Sequence, residues 1–246
     1  EFALHKGHRY ASVILDADTR RVLYIAKDRS REAIRPFFEA LGEAGCRRIQ
    51  AVAMDMNTAF DLEVKTHCPQ ARVVYDLFHV VAKYGREVID RVRVDEANRL
   101  RHDRPARRVI KQSRWLLLRN PENLKSDVQR ISLDELLAAN QALATVYVMK
   151  AGLKALWSVG TGWEWRRAWK EWLAQAKESG IESLARFAKR LSGYWRGIVS
   201  RVRWAMHTGQ LEGINNRIKV MKRMAYGYRD SEYFFLKIKA AFPGNP

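Results

Sequence analysis

Two short, largely apolar runs, Ile49–Met54 and Ala71–Tyr75, each stop at an aspartate, Asp55 and Asp76. Runs of that length with β-branched residues read as buried strands, and a buried strand needs other layers packed over it. Helix signals fill the spaces between them. Ser30 can cap a helix carrying Ile34, Phe37, Phe38 and Leu41 on one face and ending near Gly45. Asn57 or Thr58 can cap a shorter helix that stops before Pro69. Upstream, Tyr10–Leu15 and Val22–Ala26 flank the turn residues Asp16-Ala17-Asp18-Thr19 and predict a hairpin. The order strand, strand, helix, strand, helix, strand makes this an α/β chain. Open α/β sheets take ligands beyond the carboxyl ends of their strands, so Asp55 and Asp76 stand where chemistry would occur. As turn formers or helix caps they would serve structure only.

From Val80 to about Met206 the periodicity is helical throughout. All eight tryptophans lie in Trp115–Trp204, and Trp165, Trp169 and Trp172 share one helix face, which predicts the core of an all-α subdomain. Pro121 and Gly160–Gly162 mark breaks between helices. A last helix is bracketed by Gly209 and Gly227. Its apolar stripe is Leu211, Ile214, Ile218 and Met221; its polar stripe is Glu212, Asn215, Asn216, Lys219 and Arg223. A carboxylate ahead of cations on one helix face reads either as a solvated salt-bridged face or as a metal ligand followed by phosphate contacts.

The charge balance narrows the partner. The 246 residues hold 45 Lys+Arg against 27 Asp+Glu, a formal excess of +18, while 47% hydrophobic and 11% aromatic residues are too rich for a disordered tail. The basic residues crowd into Arg99–Arg114 and Arg217–Arg229, interleaved with apolar positions at helical spacing. A polyanion, nucleic acid before anionic membrane, is the expected partner. The sequence has no transmembrane-length apolar stretch and shows no secretory leader. Two cysteines, Cys46 and Cys68, suit a reduced, cytoplasmic chain and have no zinc-ligand spacing with the histidines. No phosphate-cradling Gly-rich loop with lysine is present, so nucleotide hydrolysis is not expected.

Three segments together resemble the DDE transposases of bacterial insertion sequences, of the type with an N-terminal zinc-ribbon and helix-turn-helix head. They are Asp76-Leu77-Phe78-His79 after a strand; Arg114-Trp115-Leu116-Leu117-Leu118 with Asn120-Pro121-Glu122-Asn123-Leu124; and Leu211-Glu212-Gly213-Ile214-Asn215-Asn216-Arg217-Ile218-Lys219 running into Lys222-Arg223-Met224-Ala225-Tyr226-Gly227-Tyr228-Arg229. The resemblance covers nearly the whole chain. It implies an RNase H-like mixed sheet with helices, interrupted by a large all-α insertion: residues 1–80 as the first part of the core, 81–206 as the insertion, and 207–246 as the final catalytic helix and the rest of the core. It also implies metal-dependent DNA cleavage and strand transfer. Asp55 and Glu212 match the second and third catalytic, metal-holding acidic residues, with Mg²⁺ (or Mn²⁺) as cofactor. Asp76 and His79 match a signature pair of supporting or DNA-contacting role. Lys219, Lys222 and Arg223 would neutralise phosphates, with Arg217 and Arg229 at the margins. The implied partner is double-stranded DNA, both element ends and target, in a bacterial, nucleoid-associated setting, with a homodimer or larger assembly by analogy and no membrane.

The resemblance also places the first catalytic Asp immediately before Glu1, because Lys6-Gly7-His8-Arg9-Tyr10 matches the stretch that follows it. The segment alone is therefore expected to be inactive, and the head that reads the element ends would precede it. Asp16 would be the in-chain alternative, but its place at the end of the next strand, in a turn, speaks against it. Two further readings follow from the same residues: a catalytically incomplete DNA-binding relic, and an RNase H-like nuclease acting on structured or hybrid nucleic acid.

Overall fold

The computed structural model describes residues 1–5 and 9–245; Lys6, Gly7 and His8 of the motif above lie outside the described residues. The chain opens with three strands, β1 (Phe2–His5), β2 (Arg9–Leu15) and β3 (Val22–Ala26), paired antiparallel in the order β1-β2-β3. The β2–β3 pair is the expected hairpin. The Asp16 carboxylate accepts from the Asp18 and Thr19 amides, at 3.0 and 3.5 Å, and closes its turn. Strand β1 is an addition to the sequence reading, in which strands begin at Tyr10.

Helix α1 (Arg31–Arg48) starts at the expected Ser30 cap, whose Oγ accepts from the Ala33 amide at 3.2 Å. It runs past Gly45 with a break at Gly42, where φ is +67°. That break corrects the predicted face: Ile34 and Phe38 are buried, whereas Leu41, just before it, is exposed and Cys46 beyond it is buried. Strand β4 (Ala51–Met54) follows, then α2 (Thr58–His67), capped by Asn57 through its bond from the Ala59 amide at 3.0 Å. Strand β5 (Arg72–Tyr75) pairs parallel with β4. Only Met54 of β4 is fully buried, less than the sequence pattern predicts.

The chain divides into two compact units, Glu1–Asp76 with Trp204–Pro246, and Leu77–Arg203. The second is all helix: α3 (Leu77–Tyr84), a π-helical turn at Gly85–Ile89, α4 (Asp90–Arg99), α5 (Arg104–Gln112), α6 (Arg114–Leu118), α7 (Asp127–Ala139), α8 (Gln141–Ala155), α9 (Gly162–Glu178), α10 (Glu182–Ser192) and α11 (Trp195–Val199). Trp165, Trp169 and Trp172 are buried and stack in series, with centroids 5.1 and 6.2 Å apart. The Tyr84 hydroxyl donates to the Val146 carbonyl at 2.8 Å, and the Trp172 indole to that of Met149 at 2.9 Å. Buried Lys150 reaches the carbonyls of Leu117 (2.6 Å) and Arg119 (3.0 Å), satisfying the carboxyl end of α6 within the Arg114–Leu124 motif. Trp115 and Trp163 face outward.

The first unit resumes with α12 (Gly209–Met224) and α13 (Ser231–Ala241). Ile214 and Ile218 of α12 and Phe234, Phe235 and Ile238 of α13 pack with Phe2, Leu4, Ala11, Val22 and Ile25 of the antiparallel strands. Leu211 and Met221 are half-buried at the margin of the predicted stripe. Among the described residues no helix is long and apolar enough to cross a membrane.

Candidate active site

The site is built on the tips of two strands. In the parallel pair Met54 faces Tyr75, so Asp55 and Asp76 leave the sheet side by side, and the Asp76 amide reaches the Met54 carbonyl at 3.4 Å. Neighbouring strands lie about 4.8 Å apart, which sets the backbone spacing of the two aspartates. Asp55 is half-buried. Its carbonyl accepts from the Asn57 amide at 2.7 Å in the turn that starts α2. The Asn57 side chain donates to Glu1 Oε1 at 3.4 Å, which brings the start of β1 to the end of β4.

Asp76 is buried and holds the start of α12. Its Oδ2 accepts from both the amide and the hydroxyl of buried Thr208, at 2.6 and 2.8 Å. Charge-assisted bonds of this kind are short and strong, and they offset the cost of burying the carboxylate. One turn later the Glu212 amide donates to the Thr208 carbonyl at 3.1 Å. Asp55, Asp76, Thr208 and Glu212 are thus linked in a short relay: strand tip, neighbouring strand tip, helix start, first helical turn. Sequence reasoning misses Thr208; the available signal is a hydroxyl residue directly ahead of Gly209.

Glu212 is exposed on the polar stripe of α12, with Asn216, Lys219 and Arg223. Asn215 is half-buried, and its Oδ1 is buried without a hydrogen-bond partner. Arg217 and Arg229 are exposed; Arg217 lies 5.3 Å from the Phe242 ring centre. Lys222 is engaged within the fold, where its ammonium donates to the carbonyls of Ala3, at 3.2 Å, and Leu4. That ties α12 to β1 and removes Lys222 from the freely exposed cations. His79 belongs to the helical unit, half-buried, with its ring edge-to-face on Phe78. In that unit Arg114 pairs with Asp90 at 2.9 Å and Arg99 with Glu96 at 2.8 Å, so part of the Arg99–Arg114 cluster is neutralised internally. Arg104, Arg108 and Lys111 on α5 are exposed.

A second polar cluster stands on α2. Glu63 is fully buried and accepts from Arg31 (2.7 Å) and Arg35 (3.1 Å) of α1, with the His67 ring 3.1 Å away. Burial alone would raise its carboxyl; the bonds from Arg35 and Arg31 hold it below the usual carboxylate range. Its pairing therefore adds stability above the ordinary carboxylate value, and that stability is lost as pH falls through the lower folded value. Glu63→Gln should cost about 2–3 kcal/mol at neutral pH, because two half-exposed guanidiniums lose a buried partner. The difference between the two proteins should shrink as pH falls below the ordinary carboxylate range, as thermal melts over an acid series will show.

Among the described residues no group of three or more His, Cys, Asp or Glu is arranged to hold a metal ion. The sequence-predicted pair, Asp55 and Glu212, offers carboxylate oxygens, and the amide oxygen of Asn215, three residues after Glu212, is buried without a partner. Oxygen donors of this type suit Mg²⁺, which keeps several waters and needs few protein ligands.

The transposase family model DDE_Tnp_ISL3 matches residues 1–238, and the chain belongs to that family. It is 62% identical, over its whole length, to the transposase for insertion sequence element IS1001 of Bordetella parapertussis. It is 27% identical, over 94% of its length, to the transposase for insertion sequence element IS1557 of Mycobacterium tuberculosis. The chain spans 60% and 56% of the lengths of those relatives. No solved structure matches it.

Proposed function

We propose that this chain is the catalytic part of an insertion-sequence transposase, cutting a phosphodiester at the element end and joining the freed 3′-hydroxyl to target DNA. The observation that supports the reading is the tether from the neighbouring tips of β4 and β5, through Asp76 and Thr208, to the first turn of α12, which carries Glu212. Three further features support an RNase H-like core: the antiparallel β1-β2-β3 meander, the parallel β4–β5 pair with its α2 crossover, and the Asn57–Glu1 bond between β1 and the tip of β4. The helical unit occupies the place of an insertion.

In this reading Asp55 and Glu212 hold the divalent cation, Mg²⁺ or Mn²⁺. That cation supplies Lewis-acid stabilisation of the developing oxyanion and a nucleophile activated at neutral pH. Asp76 acts through Thr208 and fixes where α12 begins. Lys219 and Arg223 follow Glu212 by two and three turns and bind phosphates, while Arg217 and Arg229 widen the basic surface. These contacts position the backbone and carry little sequence information, so end recognition belongs elsewhere in the whole protein.

The test uses full-length protein, labelled element-end duplex, target DNA and Mg²⁺. Cleaved 3′ ends and joined products are expected, and both should disappear with chelator and with Asp55→Ala. Wild-type yields from Asp55→Ala overturn the assignment. Preferred cleavage of RNA–DNA hybrid over element-end duplex would favour a nuclease instead.

A further inference from the structure

Helix α12 ends in an unusual way. The Tyr226 amide donates to the Arg223 carbonyl at 3.0 Å and the Gly227 amide to that of Lys222 at 2.9 Å, the paired bonds of a Schellman turn. The residue that turns left-handed in such a cap is normally glycine or asparagine. Here it is Tyr226, with φ +52°. A Cβ-bearing aromatic is strained there, and it recovers nothing by packing, since Tyr226 is fully exposed at 101%. Two residues away Tyr228 does the opposite: it is half-buried and stacks on Phe234 at 4.2 Å. Met224, just upstream, is 76% exposed. Exposed Lys219, Arg223 and Arg229 lie in the same segment.

A large aromatic held out by a strained backbone, in a segment that also exposes cations, matches a nucleobase on a strand whose phosphates the cations neutralise. We infer that Tyr226 is a stacking platform for an unpaired or extruded DNA base at the opposite end of α12 from Glu212. The inference rests on the DNA-transposition reading and adds to it a contact with a base. Every base presents a π-face, so the contact would be tolerant of sequence and selective for the unstacked state.

The test measures binding of the 246-residue chain to two short labelled duplexes, one fully paired and one with a single mismatch that frees a base. The wild-type chain should prefer the mismatched probe by about tenfold, within the range for one aromatic–base stack. Tyr226→Ala should abolish that preference and Tyr226→Trp should keep it. Tyr226→Gly should also abolish it while raising the melting temperature, because glycine relieves the left-handed strain. Equal affinity of the wild-type chain for both probes overturns the proposal, as does a preference that survives Tyr226→Ala. An equal loss on both probes that Trp does not restore, or a change of oligomeric state in Tyr226→Ala, also overturns it, assigning Tyr226 to the fold or to a protein interface. If the wild-type chain binds neither probe, the DNA reading beneath the proposal fails first.

Discussion

Glu212→Gln in the full-length transposase is expected to lower strand transfer by about three orders of magnitude while leaving the protein folded and bound to DNA. Glu212 is exposed in the first turn of α12, so its exchange for an isosteric amide should change stability by no more than about 0.5 kcal/mol. On the proposed reading, what would disappear is one hard anionic ligand. Stabilising charge at a reacting phosphoryl group is worth several kcal/mol, and each 1.36 kcal/mol is a factor of ten in rate. Affinity for element-end duplex should stay level or rise slightly, since a negative charge leaves the polar stripe. Parallel gel assays of binding and joining separate the two effects. Joining at even a tenth of the wild-type rate would remove Glu212 from the reaction and leave it a solvated helix residue.

The second expected result is a steep dependence of DNA affinity on salt, with a division among the cations of α12. If Lys219, Arg217, Arg223 and Arg229 each meet a phosphate, about four contacts give a logarithmic slope of about −3.6, and a fourfold rise in salt lowers affinity by about a hundredfold. Lys219→Ala should flatten the slope by about one. Lys222→Ala should leave the slope unchanged and instead lower the melting temperature, because its ammonium is spent on the carbonyls of Ala3 and Leu4. Anisotropy titrations of the 246-residue chain at several salt concentrations measure all of these. A slope near zero for the wild-type chain would refute the basic surface as a DNA contact.

Local chemistry makes much of the α/β part readable. Ser30 and Asn57 cap the helices their side chains suggest, and the Asp16 turn closes the hairpin it suggests. Leu41 is the last residue before the break at Gly42 and is exposed, and beyond the break Cys46 rather than a continuation of the predicted face is buried. Strand β1 escapes because four residues at the start of a chain offer too short a period to count. Glu212 is legible through a long motif and Asp55 through the strand it ends, whereas Thr208, and Glu63 in the cluster on α2, are not. Both act through partners distant in sequence: Thr208 meets Asp76 across 132 positions, and Glu63 meets Arg31 across 32. Spacing along one helix carries no trace of such bonds. Lys222 stands off the polar stripe that holds Lys219 and Arg223, at the edge of the apolar one, but its partners, the carbonyls of Ala3 and Leu4, are more than two hundred positions away.

The Asp76–Thr208 clasp joins the residue just before the helical unit to one just after it. An excursion of more than a hundred residues therefore leaves and re-enters the first unit through a doorway whose two posts are bolted together. Chain-closure entropy grows only logarithmically with the length of such an excursion, so its size is nearly free to drift. What happens in that annex can be rewritten over evolutionary time, by insertion, deletion or exchange of whole helices, without moving the carboxylate one turn beyond the door.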